Sequence, residues 1–260
     1  MSSELNKKLR LDVALRLWGF APSRAKAKEL IVSGAVTLKR ENVIIVLKDE
    51  AFLLSHRDKN YLTVADSDII KYVSRAGRKL EGALRNFQIS PKGLTILDVG
   101  QSTGGFTDCL LKAGAEKVVG IDVGHSQLHE SLKANSRVEC IENCNARGLS
   151  NDKAFLKYQN CTFDWIVIDV SFVSLELILP EVSKFLKANG KLIALIKPQF
   201  ELSASALSKK GVVKDSENLN FAKAKIKRAV EKLNLVVEDI IDSDLLGQDG
   251  NREFFIYAHN

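Results

Sequence analysis

The run Ile96–Asp108, ILDVGQSTGGFTD, sets an apolar segment against a glycine turn, with the carboxylate of Asp98 two residues ahead of the first glycine. Turns of this kind aim backbone N–H groups at a ligand, and the surrounding side chains decide which ligand is accepted. Gly100 and Gly105 fit the G-x-x-x-x-G half of a phosphate loop, but Phe106 stands where a lysine would neutralise the terminal phosphates. Glycines at 100, 104 and 105 also miss the G-x-G-x-x-G spacing of a dinucleotide turn. A carboxylate at this strand end repels a pyrophosphate and attracts a cation that carries an ammonium and a sulfonium. S-adenosylmethionine is such a cation, and the turn predicts contacts to it from Asp98, Gly100, Ser102, Thr103, Gly104, Gly105 and Phe106. NAD is the competing cofactor.

Further acids and lysines stand at comparable places. Asp122 lies 22 residues beyond Gly100, where an acid accepts the ribose hydroxyls of an adenosine, and Val123 follows it. A helix cap would equally account for Asp122. The loop Asn143–Arg147, with Asn145 and Ala146, follows the next apolar run and by the same topology flanks the adenine. Asp169 ends WIVIDV and Lys197 ends LIALIK, with Pro198 restricting the chain behind it. Lys79 lies at the edge of the apolar stripe Ala76, Leu80, Ala83, Leu84 and Phe87, and Glu253 opens EFFIYA after a turn-forming DGN. Taken singly, each of these charges is also explained by a structural ion pair.

The elements that must carry them alternate. TILDVG, KVVGIDV, VECIEN, DWIVIDVSF, KLIALIKPQ and EFFIYA read as strands with helical segments between, which predicts an α/β fold built on a doubly wound, Rossmann-like sheet. Ligands of such sheets bind beyond the carboxyl ends of the strands, where Asp98, Asp122, Asp169 and Lys197 all fall. A smaller α+β region precedes it. Leu11, Ala14, Leu15 and Trp18 recur at helical spacing, Gly19–Pro22 break the chain, Ser23 caps RAKAKELIVSG, and AVTLK and VIIVL read as strands. The expected division is a small domain over residues 1–64, a linker over 65–74 and a large domain over 75–260.

At 260 residues and 45% hydrophobic, the chain can bury a full core. No apolar run reaches the ~18 residues of a membrane span, and MSSELNKKLRLD lacks the apolar centre of a signal peptide, so a cytoplasmic protein is expected. Cysteines 109, 140, 144 and 161 lie in or beside apolar segments without histidines at ligand spacing, so buried free thiols are expected and no metal. Of the net charge of +6, residues 1–60 supply most, with twelve Lys or Arg against seven Asp or Glu. Such segregation points to a polyanion, nucleic acid ahead of membrane.

Arg10-Leu11-Asp12, Ser23-Arg24 and Ile31-Val-Ser-Gly-Ala-Val36 resemble the S4 RNA-binding domain, departing at Thr37-Leu-Lys-Arg-Glu where that domain continues V-N-G. The resemblance implies phosphate contacts from Arg10, Ser23, Arg24, Lys26, Lys28, Lys39 and Arg40. Lys79 in SRAGRKL, Asp169 in IDVSF, Lys197 in IKPQF and Glu253 in NREFF resemble the catalytic Lys-Asp-Lys-Glu tetrad of FtsJ-like ribose 2′-O-methyltransferases. With DVGQSTGGFTD and KKGVVKD added, the whole chain resembles the TlyA family, ribosomal RNA 2′-O-methyltransferases also labelled hemolysins. It departs in His125-Ser-Gln-Leu128 and Asn145-Ala-Arg147 from that family's Y-G-Q-L and N-V-R. The resemblance implies S-adenosylmethionine-dependent methylation of a cytidine 2′-hydroxyl in the RNA of ribosomal subunits. A large-subunit target is expected from a chain that ends soon after its last strand. Two other classes compete: an RNA-binding, ribosome-associated protein without turnover, and a membrane-active hemolysin.

Overall fold

The computed structural model describes residues 8–41, 43–65, 70–247 and 249–260, and the chain divides into two compact units between Tyr72 and Val73. Residues 66–69 of the expected linker, and the N-terminal residues 1–7 read above for a leader, lie outside the described residues.

The first unit contains β1 (Leu9–Arg10), α1 (Leu11–Leu17), α2 (Arg24–Val32), β2 (Val36–Arg40), β3 (Val43–Val46), β4 (Leu53–Leu54) and β5 (Leu62–Val64). Helical spacing puts Leu11, Ala14 and Leu15 of α1 on one face. They pack with Ala27, Leu30 and Ile31 of α2 and with Val36, Leu38, Leu54 and Leu62 of the strands. Ser23 accepts the Lys26 amide, satisfying one of the free donors at the start of α2. β2 is the centre of a three-stranded sheet in the order β3-β2-β5, and β1 pairs with β4. β1, β4 and β5 were not expected, because two or three residues are too few to display alternation. VIIV forms the edge strand, and all four of its side chains are exposed, so this apolar run is not core.

Asp12 is fully buried and takes hydrogen bonds from Arg24 (Nη2, 2.5 Å; Nε, 3.2 Å) and from Arg10 (Nε, 3.2 Å). Burial alone would raise its pKa, but the two guanidinium groups outweigh burial and hold the carboxyl below its ordinary range. Its stabilising contribution is therefore present above the unfolded value of ~3.9 and is lost as pH falls through the lower folded value. Asp12→Ala is expected to loosen this unit by about 1–3 kcal/mol. Hydrogen exchange of the α1 and α2 amides checks this, and unchanged protection in the variant would contradict it.

The second unit contains α3 (Arg75–Asn86), β6 (Thr95–Val99), α4 (Gly105–Lys112), β7 (Lys117–Ile121), α5 (Glu130–Lys133), β8 (Val138–Ile141), β9 (Phe163–Ile168) and α6 (Leu179–Val182). It continues with β10 (Leu186–Ile196), α7 (Pro198–Glu201), α8 (Ser216–Glu231), β11 (Val236–Asp242) and β12 (Phe254–His259). The sheet has seven strands in the order β11-β12-β10-β9-β6-β7-β8. β8, β7, β6, β9 and β10 are parallel, and β12 runs antiparallel to both β10 and β11. The direction of winding reverses between β6 and β9, and there a crevice opens beyond the carboxyl ends.

Because both faces are covered, the central strands are nearly continuous apolar runs. Leu97, Val99, Ile166, Ile168, Leu192 and Ala194 share one core with Phe155 and with Ile226 and Val230 of α8. Phe255 of β12 stacks on Phe106 of α4, ring centroids 6.0 Å apart. β11 was not expected: VVEDIID is an edge strand whose side chains are exposed or half-buried, so its pattern is mixed. The cysteines also differ from expectation. Cys109 and Cys144 are buried, Cys140 is half-buried and Cys161 is exposed, because it sits in the turn before β9. Among the described residues no helix is long and apolar enough to cross a membrane.

Candidate active site

The turn after β6 must reverse direction at once to start α4, and glycine makes this possible. Gly100 has φ +85°, and a Cβ there would lie 2.5 Å from the Asp169 carbonyl oxygen, so only glycine lets the turn lie against the end of β9. The Gly100 and Gln101 amides donate to the Ile121 carbonyl at 2.9 and 3.1 Å, tying the turn to the end of β7. Asp122 fastens it again, accepting the Ser102 amide at 2.8 Å and the Gly124 amide at 2.7 Å.

Over this turn lies a cavity of about 510 Å³, a volume suited to a small ligand. Gly100, Ser102, Asp122, Val123, Asn145, Ala146 and Asp169 line it, together with Gln127, Arg147 and Phe172. A second cavity of about 140 Å³ shares Gly100, Ser102, Asp169 and Ser171 with the first and adds Thr103, Gly105, Phe106 and Lys197. Gly104 lines neither and serves as the left-handed cap of α4, while Phe106 is almost wholly committed to the core.

Asp98, expected to contact the cofactor, also lines neither cavity. It is fully buried beneath the turn, where Thr107 Oγ1 donates to Oδ2 at 2.6 Å and Gln101 Nε2 donates to Thr107 Oγ1 at 2.9 Å. Oδ1 has no hydrogen-bond partner among the described residues. Burial pushes the pKa of Asp98 up to about 7, opposed by the Thr107 hydrogen bond and assisted by the charges of Asp169 and Asp122. An incompletely satisfied acid beside a cavity fits an occupant that brings positive charge. The lining of the larger cavity offers Asp122, Asn145 and Ala146 to an adenosine. S-adenosylmethionine matches both ends.

Asp169 follows β9, its amide bonded to the Val99 carbonyl at 2.9 Å, and Lys197 follows β10. Lys197 Nζ lies 2.7 Å from Asp169 Oδ1 and donates to Ser171 Oγ at 2.9 Å. Since β12 is antiparallel, its start lies at the carboxyl end of β10. Ile196 faces Phe254, which sets Lys197 beside Glu253. Glu253 is buried, and Lys79, buried on α3, reaches its Oε2 at 2.5 Å. Four charges from four elements thus form two ion pairs on neighbouring strand ends.

In the first unit, Arg10, Arg24, Lys28, Lys39 and Arg40 are exposed, with Lys28 paired to Glu50 at 2.8 Å and Arg40 to Asp58 at 3.2 Å. Ser23 spends its hydroxyl oxygen on the α2 cap. Lys26 departs from expectation: its side chain is buried with Nζ 3.1 Å from Glu29, because it lies on the core face of α2 beside Ala27 and Leu30.

Sequence reasoning missed Ser171, Phe172, Gln101, Thr107 and Glu201. DWIVIDVSF reads as one strand, but β9 ends at Ile168, and Phe172, at φ +64°, turns outward with 90% of its surface exposed. Glu201 is buried and accepts Ser174 Oγ at 2.5 Å and the Leu175 amide at 2.8 Å, so it ties the segment after Asp169 to the helix after Lys197. An acid close behind an apolar strand was its only signal.

The model of the FtsJ-like methyltransferase family matches residues 72–260, and that of the S4 domain matches residues 9–38. Hemolysin A of Brachyspira hyodysenteriae is 37% identical, the match covering 96% of this chain and 99% of that one. The 16S/23S rRNA (cytidine-2′-O)-methyltransferase TlyA of Mycobacterium tuberculosis H37Rv is 35% identical over 96% of this chain and 90% of its own. A solved structure titled as a hemolysin, from Streptococcus thermophilus, superposes with a TM-score of 0.73 at 31% identity, covering 97% of this chain and 88% of that one.

Two outcomes follow from the turn. Gly100→Ala is expected to weaken cofactor binding by at least about tenfold, since even ~1.4 kcal/mol of the backbone clash suffices. Calorimetry on the folded variant checks it. Asp98 binds its proton to higher pH than the unfolded chain does, so its effect on the ligand-free protein is a stability that falls as pH rises from about 4 to about 7. A cationic cofactor favours the carboxylate, so binding should tighten as pH rises through that range and release a proton. Calorimetry in two buffers of different ionisation enthalpy measures that release. Its absence near pH 7, or its persistence in Asp98→Asn, would contradict the assignment.

Proposed function

The chain belongs to the FtsJ-like methyltransferases and, within them, to the TlyA family, and from that premise we propose that it methylates a cytidine 2′-hydroxyl in ribosomal RNA. The observation that carries this reading is the Lys197–Asp169 ion pair beside Lys79–Glu253, at the edge of a cavity that accepts a sulfonium cofactor. The relative from M. tuberculosis is named for 16S and 23S RNA. For this chain the large subunit is the expected substrate and the small subunit the second. A ribosomal substrate goes with work in the cytoplasm.

A ribose hydroxyl is a weak nucleophile, so the site has to hold it in line with the methyl carbon and balance the charge it develops. When bound, S-adenosylmethionine supplies that methyl on a positively charged sulfur. Lys197 Nζ meets the 2′-oxygen, orients it and balances the negative charge that builds there. Asp169 and Ser171 hold Lys197 in place, and Lys79 steadies Glu253 on the adjoining strand. With the donor bound, the 2′-oxygen held by Lys197 would take the methyl, the neutral thioether would leave with the bonding pair, and the hydroxyl proton would pass to solvent. Phe172, exposed at the cavity rim, offers a ring on which an unstacked base can rest. Arg10, Arg24, Lys28, Lys39 and Arg40 supply phosphate contacts that position the RNA without reading its sequence.

Transfer of labelled methyl from S-adenosylmethionine to purified 30S and 50S subunits tests this. The expected result is label in 50S RNA at a nucleotide whose 3′ linkage resists alkaline cleavage. Lys197→Ala should lower transfer by about 100-fold or more while leaving cofactor affinity within about threefold. Residual turnover within about tenfold of wild type would sink the role of Lys197, and an unlabelled RNA with cofactor binding intact would favour an RNA-binding protein without turnover.

A further inference from the structure

The motif KKGVVKD, residues 209–215, takes no part in the site described above. The Gly211 amide donates to the Ser208 carbonyl at 2.8 Å, closing a turn whose two central residues are Lys209 and Lys210. The Ser208 amide donates to the Val212 carbonyl at 3.0 Å, and the Val212 amide donates to Ser208 Oγ at 3.1 Å. Asn251, almost fully buried, staples the loop from the other side: Oδ1 accepts the Val213 amide at 2.9 Å and Nδ2 donates to the Gly211 carbonyl at 3.0 Å. Val213 is sunk in the core. The loop backbone is therefore fixed, and its anchor lies two residues from Glu253.

Lys209, Lys210 and Lys214 are all exposed, and none has an acidic partner among the described residues. Several other lysines of this unit do find carboxylates: Lys187 pairs with Asp164, Lys184 with Glu181, Lys112 with Asp108 and Lys227 with Glu231. The acid next in sequence, Asp215, is committed to capping α8, where it accepts the Glu217 and Asn218 amides. Three uncompensated ammonium groups on a rigid backbone, anchored through Asn251 two residues from Glu253, are suited to a chain of phosphates. Only their side chains lose freedom on binding.

We propose that the Ser208–Lys214 loop is a phosphate-binding site of the methyltransferase unit, gripping the RNA backbone close to the target nucleotide; this rests on the RNA methyltransferase reading above. The contacts are to phosphate, so they set position and affinity and leave sequence choice to other groups. Lysine suits this role as a mobile point charge.

The test compares the full-length wild type with the triple variant Lys209→Ala/Lys210→Ala/Lys214→Ala. Affinity for 23S ribosomal RNA is measured across a series of salt concentrations, alongside methyl transfer under single-turnover conditions and cofactor affinity. Each lost phosphate contact removes ~0.7–0.9 from the slope of log affinity against log salt, so the variant's slope should be shallower by about 2. The RNA dissociation constant at ~0.15 M salt should rise by about tenfold or more, while cofactor affinity and the rate at saturating RNA stay within about twofold. A variant with the wild-type slope and RNA affinity overturns the loop assignment alone. A wild type that neither binds RNA nor transfers methyl to it overturns the RNA methyltransferase reading itself, and the loop assignment falls with it.

Discussion

Charges withdrawn from water at the ends of a parallel sheet have to be paired, and that requirement organises this crevice. Lys79 and Glu253 are both buried and lie far apart in sequence. Removing one partner of such a pair costs about 3–5 kcal/mol, because the other charge is left without compensation. The pair therefore fixes α3 against the start of β12. It also explains why one antiparallel strand inside an otherwise parallel core matters for chemistry. A parallel β12 would deliver its first residue to the opposite end of the sheet, whereas the antiparallel strand brings Glu253 to the end where Asp169 and Lys197 emerge.

The crevice is held by several such couplings at once. Gly100 lies against the Asp169 carbonyl, so the cofactor turn and the tetrad share a wall. Asp122 binds the amide of Ser102 in the same turn. Glu201 joins the segment after Asp169 to the helix after Lys197, and Lys225 of α8 donates to the Glu201 carbonyl at 3.0 Å. Few of these groups can move without moving another. A site built this way has its donors in place before substrate arrives, which is how fixed dipoles and charges stabilise a developing charge with little reorganisation.

What could be read from the sequence follows the same physics. The central strands were legible because burial on both faces leaves uninterrupted apolar runs, as in TILDVG and WIVIDV. β11 was not, since an edge strand mixes polar and apolar residues, and β1, β4 and β5 were too short to show a period. Asp169, Lys197 and Glu253 stood out at strand ends and Lys79 at the edge of a helical stripe, but which lysine meets which acid depends on the register of β10 with β12, and one sequence carries no trace of it. Asp98 was legible as an acid before a glycine turn, whereas its place beneath that turn depends on Thr107 and Gln101, whose side chains point inward. Lys26 falls on the core face of α2, yet a lysine among alanines carries no mark of that.

Net charge is a poor guide to available charge here. The first sixty residues carry most of the chain's positive excess, but several of their cations already sit against acids: Arg10 and Arg24 on Asp12, Lys28 on Glu50, Arg40 on Asp58. The last two pairs are about half exposed on the cationic side, and surface pairs of that kind contribute roughly 0–1 kcal/mol, so a phosphate can displace the acid at little cost. Asp12 is different. It is buried and cannot leave, so Arg10 and Arg24 are held as a fixed pair, and only the part of each guanidinium that Asp12 does not use is free for a further partner. The second unit is nearly neutral in sum, yet its lysines at 209, 210 and 214 stand uncompensated on a stapled turn. Which cations are available to a polyanion is therefore decided by which of them lack fixed acids and which backbones are rigid, and the net charge of a region records neither.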